Sequence, residues 1–373
     1  MKAHESAIIL LALVFSAGWL PIAYASTSIR GQLIMDVATG WESRALSRPW
    51  VLYDGSSFMM WYSGEDNLGT TTIGLATSTD GVSWSRYSGN PVLKVGAPGQ
   101  WDSGSVNEAA VIRDGAQYKM WYSGALYFGN GSIQKYQIGY ATSSDGINWA
   151  RYSGNPVLTT DGPVAWDDKW VWRPTVISTS SGYVMYFRGV SFGSPAAKAG
   201  VATSTDGMHW TKTTVLTMPP GASGWDAYSR SIGSLNLGNV MKTGNTYVMA
   251  YSSIKTKTSQ SEIGAASSTD GINWAPYSDN PVITFGQSGW DSNGVISPMM
   301  VAVGNQYLVY YHGLQLHGPT RIGLAILPMS QYPIPEYPLT TLSLLATMLV
   351  LIATLTCLRK RTGFQDQQIQ LGA

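Results

Sequence analysis

Alternating apolar and polar residues mark strand-length runs along most of the chain, and the runs recur at a nearly constant interval. Tyr118-Lys119-Met120-Trp121-Tyr122-Ser123-Gly124 is representative: alternating, rich in aromatics and bounded by turn residues, it predicts a half-buried strand. A second kind of run follows, seen as Ile73-Gly74-Leu75-Ala76-Thr77, Ile138-Gly139-Tyr140-Ala141-Thr142, Ala199-Gly200-Val201-Ala202-Thr203, Ile263-Gly264-Ala265-Ala266-Ser267 and Ile322-Gly323-Leu324-Ala325. Its glycine is expected to let neighbouring backbones pack closely. A turn, Asp-Gly-x-x-Trp, comes next at Asp80 to Trp84, Asp145 to Trp149, Asp206 to Trp210 and Asp270 to Trp274. An Asn-Pro-Val-Leu segment then closes the unit, as at Asn90 to Leu93 and Asn155 to Leu158.

Out of phase with these, Trp followed by an acid recurs as Trp41-Glu42, Trp101-Asp102, Trp166-Asp167, Trp225-Asp226 and Trp290-Asp291, at steps of 60, 65, 59 and 65 residues. Each unit holds about four strands and cannot bury both faces of its sheet alone; radial stacking of such sheets answers that need. The predicted fold is therefore all-β, a five-bladed β-propeller of four-stranded blades over residues 26–330. The fifth copy stops after Leu327 without its own turn and last strand, whereas Gln32-Leu33-Ile34-Met35 stands just before Trp41-Glu42. The two fragments are expected to complete one blade, so that the N-terminal strand closes the ring and removes two exposed sheet edges. A monomeric propeller is expected.

The two ends read differently. Ala7 to Leu20 is an apolar run ahead of Ala23-Tyr24-Ala25, a small-x-small pattern, so residues 1–25 are expected to be a cleaved signal peptide. A linker, 331–338, precedes a charge-free stretch, Leu339 to Leu358, long enough for one transmembrane helix, and Arg359-Lys360-Arg361 opens a cytoplasmic tail, 359–373. The positive-inside rule then leaves the propeller outside, membrane-anchored at the cell surface. The segment from Ile334 to Pro338 with its apolar helix and basic cluster resembles the C-terminal surface-sorting signals of archaeal exported proteins. Asn130-Gly131-Ser132 is an N-glycosylation sequon, consistent with an outside loop. The single cysteine, Cys357, falls in the apolar stretch, so core burial alone must stabilise the exported part.

Composition narrows the function. Lys+Arg number 23 against Asp+Glu 22, for a net charge of +1, which argues against nucleic acid. The repeated Trp-Asp and Asp-Gly-x-x-Trp motifs read as structural, since a residue present in every blade serves the blade: Asp accepts turn N–H groups, Gly takes a positive φ, and Trp packs between sheets. Function belongs where the blades differ, near the axis. Seven residues after each Trp of the Trp-acid pair stand Arg48, Glu108, Arg173, Ile232 and Ser297, expected at one height around the centre.

Glu108 is the candidate catalytic residue; Glu42, Glu65 and Glu262 fall in predicted turns or connecting loops. Shielding would raise its pKa toward general-acid use, and the arginines would lower it; the structural alternative is a buried Arg–Glu pair fixing blade geometry. Arg48, Trp50, Trp170, Trp172, Arg173, Arg230 and His312 are the candidate substrate-binding residues, with Asp168, Lys169 and His317 nearby in sequence. Aromatic planes stack on the apolar faces of sugars while Arg and carboxylates take their hydroxyls, so a carbohydrate partner is expected. Core packing is the alternative for any one Trp. There is no Gly-rich phosphate loop, no Cys nucleophile outside the apolar segment and no strong paired-histidine metal motif, and no cofactor is expected.

The Ser-x-Asp-Gly-x-x-Trp turns, the Tyr-Met-Trp-Tyr-Ser-Gly-like strands, and Tyr311-His312-Gly313 with Arg321-Ile322-Gly323 resemble the five-bladed glycosidase superfamily of arabinanases, β-xylosidases, β-fructosidases and mannoside phosphorylases over about residues 29–328. The resemblance implies an axial cleft with an inner-strand Asp or Glu as base and a second carboxylic acid as the acid. It also implies a last-blade histidine that helps bind phosphate in the phosphorylase branch and supports a metal elsewhere. The chain departs from that pattern: the places where an inner-strand Asp-Pro belongs read Arg48-Pro49, Glu108-Ala109, Arg173-Pro174 and Ser297-Pro298, leaving one carboxylate unassigned unless Asp102, Asp167 or Asp168 approaches. The reading is a glycosidase-like propeller that acts on or binds an extracellular glycan, the alternative being a non-catalytic carbohydrate-binding or structural envelope propeller.

Overall fold

The structure, a computed structural model, describes residues 29–127, 132–218, 224–226, 235–254 and 260–330. The expected signal peptide, Asn130, Arg230, Ile232 and the apolar C-terminal stretch with its basic cluster lie outside the described residues. Among the described residues there is no helix, and so none long and apolar enough to cross a membrane.

Twenty strands form among the described residues. β1 (Gln32–Met35) is followed by a first antiparallel group, β2 (Ala45–Tyr53), β3 (Phe58–Glu65), β4 (Thr71–Ser78) and β5 (Ser85–Arg86). A second comprises β6 (Ser105–Asp114), β7 (Gln117–Tyr127), β8 (Ile133–Ser143) and β9 (Ala150–Arg151). A third comprises β10 (Trp170–Thr179), β11 (Gly182–Ser191), β12 (Ser194–Ser204) and β13 (Thr211–Val215). A fourth comprises β14 (Asn236–Thr243), β15 (Thr246–Ile254), β16 (Ser261–Ser268) and β17 (Ala275–Pro276). The last, β18 (Gly294–Val303), β19 (Gln306–Leu314) and β20 (Arg321–Pro328), takes β1 as its outer strand, with Leu33 opposite Gly323.

The leading strand of each group touches that of the next, in the order β2, β6, β10, β14, β18 and back to β2. Parallel bridges join neighbours at equivalent points, Thr71 to Ser105, Ser261 to Gly294, and, across the chain ends, Thr320 to Ala45. The contact between last and first groups is thus of the same kind as the contacts along the chain.

The repeated sequence motifs have three separable jobs. In the Ser-x-Asp-Gly turn, Asp80 Oδ1 accepts the N–H groups of Val82 and Ser83, Ser78 Oγ accepts that of Gly81, and Gly81 takes φ 75°. The pattern repeats at Asp145, Asp206 and Asp270. The glycine carbonyl that this turn presents accepts from an aromatic of the preceding group: Tyr310 Oη on Gly81, Trp61 Nε1 on Gly146 and Trp121 Nε1 on Gly207. The Trp that ends the motif packs on the same aromatic, edge-on, with centroids 5.7 Å apart for Trp84 and Tyr310 and 6.1 Å for Trp149 and Trp61. This Trp is the one that packs between sheets.

The Trp of the Trp-acid pair behaves differently. It lies flat on its own group, over the glycines of the second and third strands: a Cβ added at Gly64 or Gly74 would fall 2.2 or 2.3 Å from Trp41, and one at Gly124 or Gly139 would fall 2.3 or 2.6 Å from Trp101. The space those glycines leave is for an indole, not for a neighbouring backbone, which corrects the reading of the Ile-Gly runs. The acid beside it is buried under the indole; in three groups it meets a cation from the outer strand, and in three a tyrosine. Glu42 takes Tyr62 and Arg86, Asp102 takes Tyr122 and Arg151, and Asp167 takes Lys212. In the last group the N-terminal segment supplies that cation as well as the strand, Arg30 lying 3.1 Å from Asp291.

Gly124→Ala is expected to destabilise the chain by about 1–3 kcal/mol, because the indole of Trp101 cannot leave a packed interface without strain. Gly162→Ala, where an added Cβ meets nothing within 4 Å, serves as the control. Thermal melts of the purified full chain check this; equal melting temperatures for both variants would remove the indole-seat account.

Candidate functional site

Each leading strand carries a bulge at one height. The pairing register jumps between Ser47 and Trp50, Asn107 and Ala110, Trp172 and Thr175, Leu237 and Val240, and Ile296 and Met299. In four strands the first bulged residue sits in the left-handed region, Arg48 at φ 51°, Glu108 at 56°, Arg173 at 58° and Ser297 at 53°. Such a conformation costs a non-glycine residue about 1 kcal/mol or more and persists only where the surroundings hold it. Here a side chain from the second strand of the preceding group catches the freed N–H: Ser63 Oγ that of Glu108 (3.1 Å), Ser123 Oγ that of Arg173 (2.9 Å), Ser252 Oγ that of Ser297 (3.3 Å) and His312 Nδ1 that of Arg48 (3.3 Å).

The bulges turn these side chains onto a common centre. Arg48, Glu108, Arg173, Gly238 and Ser297 line a small central cavity of about 50 Å³. The structure therefore brings together four of the five residues picked by equal spacing. In the fourth group the register assigns Gly238 to this position rather than Ile232, because six more residues separate the Trp-acid pair from the strand. An added Cβ there would lie 2.2 Å from the Pro298 carbonyl oxygen, so the ring is closed on that side by backbone against backbone.

Glu108 is 6% exposed. Its Oε1 lies 2.7 Å from Arg48 Nη1 and accepts from Arg173 Nε at 2.8 Å, while Oε2 accepts from Ser123 Oγ at 2.6 Å and from the Arg173 backbone N–H at 3.2 Å. Burial by itself would raise its pKa; the two guanidiniums and the Ser123 hydroxyl outweigh burial and hold it below the usual carboxylate value. Glu108 is accordingly a carboxylate at neutral pH, with both oxygens engaged. Proton donation, one of the two uses the sequence left open, is the one this environment disfavours, and the paired Arg–Glu arrangement is present.

A third guanidinium, Arg188 on β11, lies beside this pair. It stands 5.3 Å from the Trp172 ring, and it and Arg173 both donate to the Asn236 side-chain oxygen. Burial and Arg48 push Arg173 down to about 10; burial and Arg173 push Arg188 down to about 9, so both stay charged at pH 7. His312 is held well below its ordinary value by burial and by Arg48 and Arg173, and is neutral. Its Nδ1 accepts the Arg48 N–H, which assigns the ring proton to Nε2.

Two of the aromatic candidates assemble with Tyr136, and none of these three rings lines the cavity. Trp170 lies 6.0 Å and Trp172 6.3 Å from the Tyr136 ring, and Lys169 Nζ stands 4.2 Å over Trp170. Trp50 does line the cavity, yet at 8% exposed it also belongs to the core, and its Nε1 donates to the Val111 carbonyl (2.7 Å), tying the first leading strand to the second. His317 lies in the exposed turn between β19 and β20, apart from the buried His312. Arg230 is outside the described residues.

None of the carboxylates considered as a second member lines the cavity. Asp102 and Asp167 are the repeated buried acids, and Asp168 is a half-buried turn residue accepting from the Val164 and Phe192 N–H groups. Glu65 ends β3 and Glu262 is buried on β16, so the expectation of loops for those two is corrected. Among the described residues no three His, Cys, Asp or Glu side chains gather as a metal ion would need.

Arg188, Tyr136, Asn236 and Ser123 were missed in the sequence. A signal for the first was present: the second-strand motif reads Tyr62-Ser63-Gly64, Tyr122-Ser123-Gly124 and Tyr251-Ser252, but Phe187-Arg188-Gly189 and Tyr311-His312-Gly313. The serine that catches the next bulge is replaced by Arg188 and His312, and these two replacements face the centre.

No protein-family model matches the chain. Two curated relatives, "Uncharacterized protein MT1551" and "Uncharacterized protein Rv1502" from two strains of Mycobacterium tuberculosis, are 32% identical over 164 residues, 42% of this chain and 50% of each relative. The chain thus spans about half the length of the curated relatives it matches. Among solved structures, it is similar to BT0996 in an RGII complex (TM-score 0.64, 16% identity, 81% of this chain and 91% of that one). It is also similar to a thermostable family-43 glycoside hydrolase (0.59, 16%, 79% and 92%) and to the β-1,2-mannobiose phosphorylase from Listeria innocua (0.57, 14%, 77% and 90%). At these identities the likeness is one of fold, an all-β propeller.

The two depressed groups have separate pH signatures. His312 lies below its unfolded value of 6.5, so the unfolded chain takes up the proton first and stability falls as pH drops below 6.5. Glu108 lies below 4.5, so its contribution is complete above that value and is lost as pH falls through the folded one. In urea unfolding at a series of pH values, subtracting the His312→Gln profile from wild type is expected to leave a slope starting near pH 6.5. The Glu108→Gln subtraction leaves one starting below 4.5, together with a loss at pH 7 of about 3–5 kcal/mol for stranding buried guanidiniums. Flat difference profiles would contradict these assignments.

Proposed function

We propose that the chain is a five-bladed, surface-anchored propeller that binds an extracellular glycan at the centre of its ring. The observation that carries this reading is the centre of the ring: an ionised, fully engaged Glu108 between Arg48 and Arg173, Arg188 beside them against Trp172 and its neighbours Tyr136 and Trp170, and no second carboxylate in the described lining of the cavity. Inverting hydrolysis needs two carboxyl groups about 6.5–9.5 Å apart with a water between them. A clamped carboxylate near clustered aromatics suits recognition, in which Glu108 orients Arg48 and Arg173 and the rings receive a sugar face. The solved neighbours named as a glycoside hydrolase and a mannobiose phosphorylase support a glycan as the ligand class.

A catalytic Glu108 is the second reading, kept because an ionised inner-strand carboxylate is in the state a base requires. The five strand groups with their cyclic leading-strand contacts support the count of five blades, and the outer position of β1 supports closure by the N-terminal strand. For the anchor, residues 1–25 are proposed as the cleaved leader and 339–358 as the membrane helix. β20 runs from Arg321, opposite Gly313 beside His312, to Pro328 at the far end of the sheet, so the chain departs from the face opposite the bulges. On this proposal the cavity points away from the membrane.

A glycan array probed with the purified full chain tests the reading. Trp172→Ala is expected to weaken the best ligand about tenfold or more, from loss of the stacking face. Turnover of arabino-, xylo-, fructo- or mannosides that disappears in Glu108→Gln would replace binding by catalysis.

A further inference from the structure

We infer that segment 331–338 folds back under the ring and seats Ile334 with its flanking prolines in an apolar funnel at the axial mouth opposite the bulges. The axis holds two cavities. Trp50, Asn239 and Met299 line both and so divide the small one beside Glu108 from a larger one of about 370 Å³ at the far end of the leading strands. Its wall is apolar on every side, each leading strand giving one of Val51, Val111, Val176, Val240 and Met300. At its inner end the Asn239 amide is taken up by the Met300 backbone, donating to the carbonyl at 2.8 Å and accepting the N–H at 2.7 Å. The funnel has room for side chains, since one water molecule needs only roughly 10–15 Å³. Apolar surface of this kind is more stable covered than wet.

Three observations name this chain's own segment as the cover. β20 ends on this side at Pro328, and the Met329 N–H then bonds the Asn305 carbonyl (2.9 Å) in the turn between β18 and β19; Ala302, just before that turn, lines the funnel. The described residues thus end beside the funnel, and eight extended residues reach about 25 Å from there. The segment itself reads Gln331-Tyr332-Pro333-Ile334-Pro335-Glu336-Tyr337-Pro338, and its three prolines carry no N–H, so less of its backbone goes unsatisfied against apolar walls. Charge agrees: Lys242, exposed at the mouth, has its Nζ 5.0 Å from the Tyr247 ring and no ion pair among the described residues, while Glu336 is the segment's only acid. A seated segment leads the chain away along the propeller axis rather than from its rim.

Disulfide trapping in the purified full chain tests this, with Cys357→Ser removing the one native thiol. Ile334→Cys is paired either with Ala302→Cys in the funnel or with Ser83→Cys, an exposed residue of the Asp80 turn that Tyr310 of the last group touches at Gly81. Under mild oxidation the pair with Ala302→Cys is expected to close about tenfold faster or more, read by mass spectrometry of non-reduced digests, because a seated segment raises the local thiol concentration there alone. Lys242→Glu should lower that ratio about threefold, and adding Glu336→Lys should restore it. Thermal melting verifies that each variant is folded. Equal rates for the two pairs, or no bond at either, would overturn the inference; a faster Ser83→Cys pair would overturn it too, leaving the funnel to another occupant. A ratio that Lys242→Glu does not move would remove the Glu336 contact.

Discussion

Each leading strand gives up one backbone pairing at its bulge, and in four of the five the unpaired N–H is recovered by a side chain of the neighbouring group. On that exchange the site depends. Without the bulge, Arg48, Glu108 and Arg173 would keep the ordinary alternation of a strand; with it they take a left-handed conformation and line the central cavity. The recovering side chain, Ser63, Ser123, Ser252 or His312, comes from the preceding group, so each strained residue is held from outside its own sheet. Site geometry and group-to-group docking are therefore one set of contacts.

The same chemistry, a buried carboxylate with a cation, appears in two settings. Under the repeated indoles Glu42 and Asp102 each meet one arginine, and a tyrosine donates to Glu42, Asp102 and Asp226. At the axis two arginines, Arg48 and Arg173, share one carboxylate, that of Glu108.

The aromatic residues divide along similar lines. Trp61, Trp121 and Tyr310 spend their polar atoms on turn carbonyls of the next group, and Trp50 spends its own on Val111, so these are fasteners. Trp172 instead lies beside Arg188, with Tyr136 next to it, where blade-to-blade differences concentrate.

Much of this was legible from residue order alone. Repeat length, the alternation within runs, and the missing outer strand of the fifth copy determined the grouping of strands and the pairing of β1 with β20, because local propensity and period-two burial act within a few residues. The spacing from each Trp located Arg48, Glu108, Arg173 and Ser297 for the same reason. What residue order could not decide was everything requiring distance between groups: which tryptophan lies on glycines and which lies between sheets, that Gly238 stands where Ile232 was counted, and that Arg188 joins Arg48 and Arg173. The ionised state of Glu108 was likewise undecided, since burial and two guanidiniums pull its pKa in opposite directions, and only their separations in the folded ring settle which prevails.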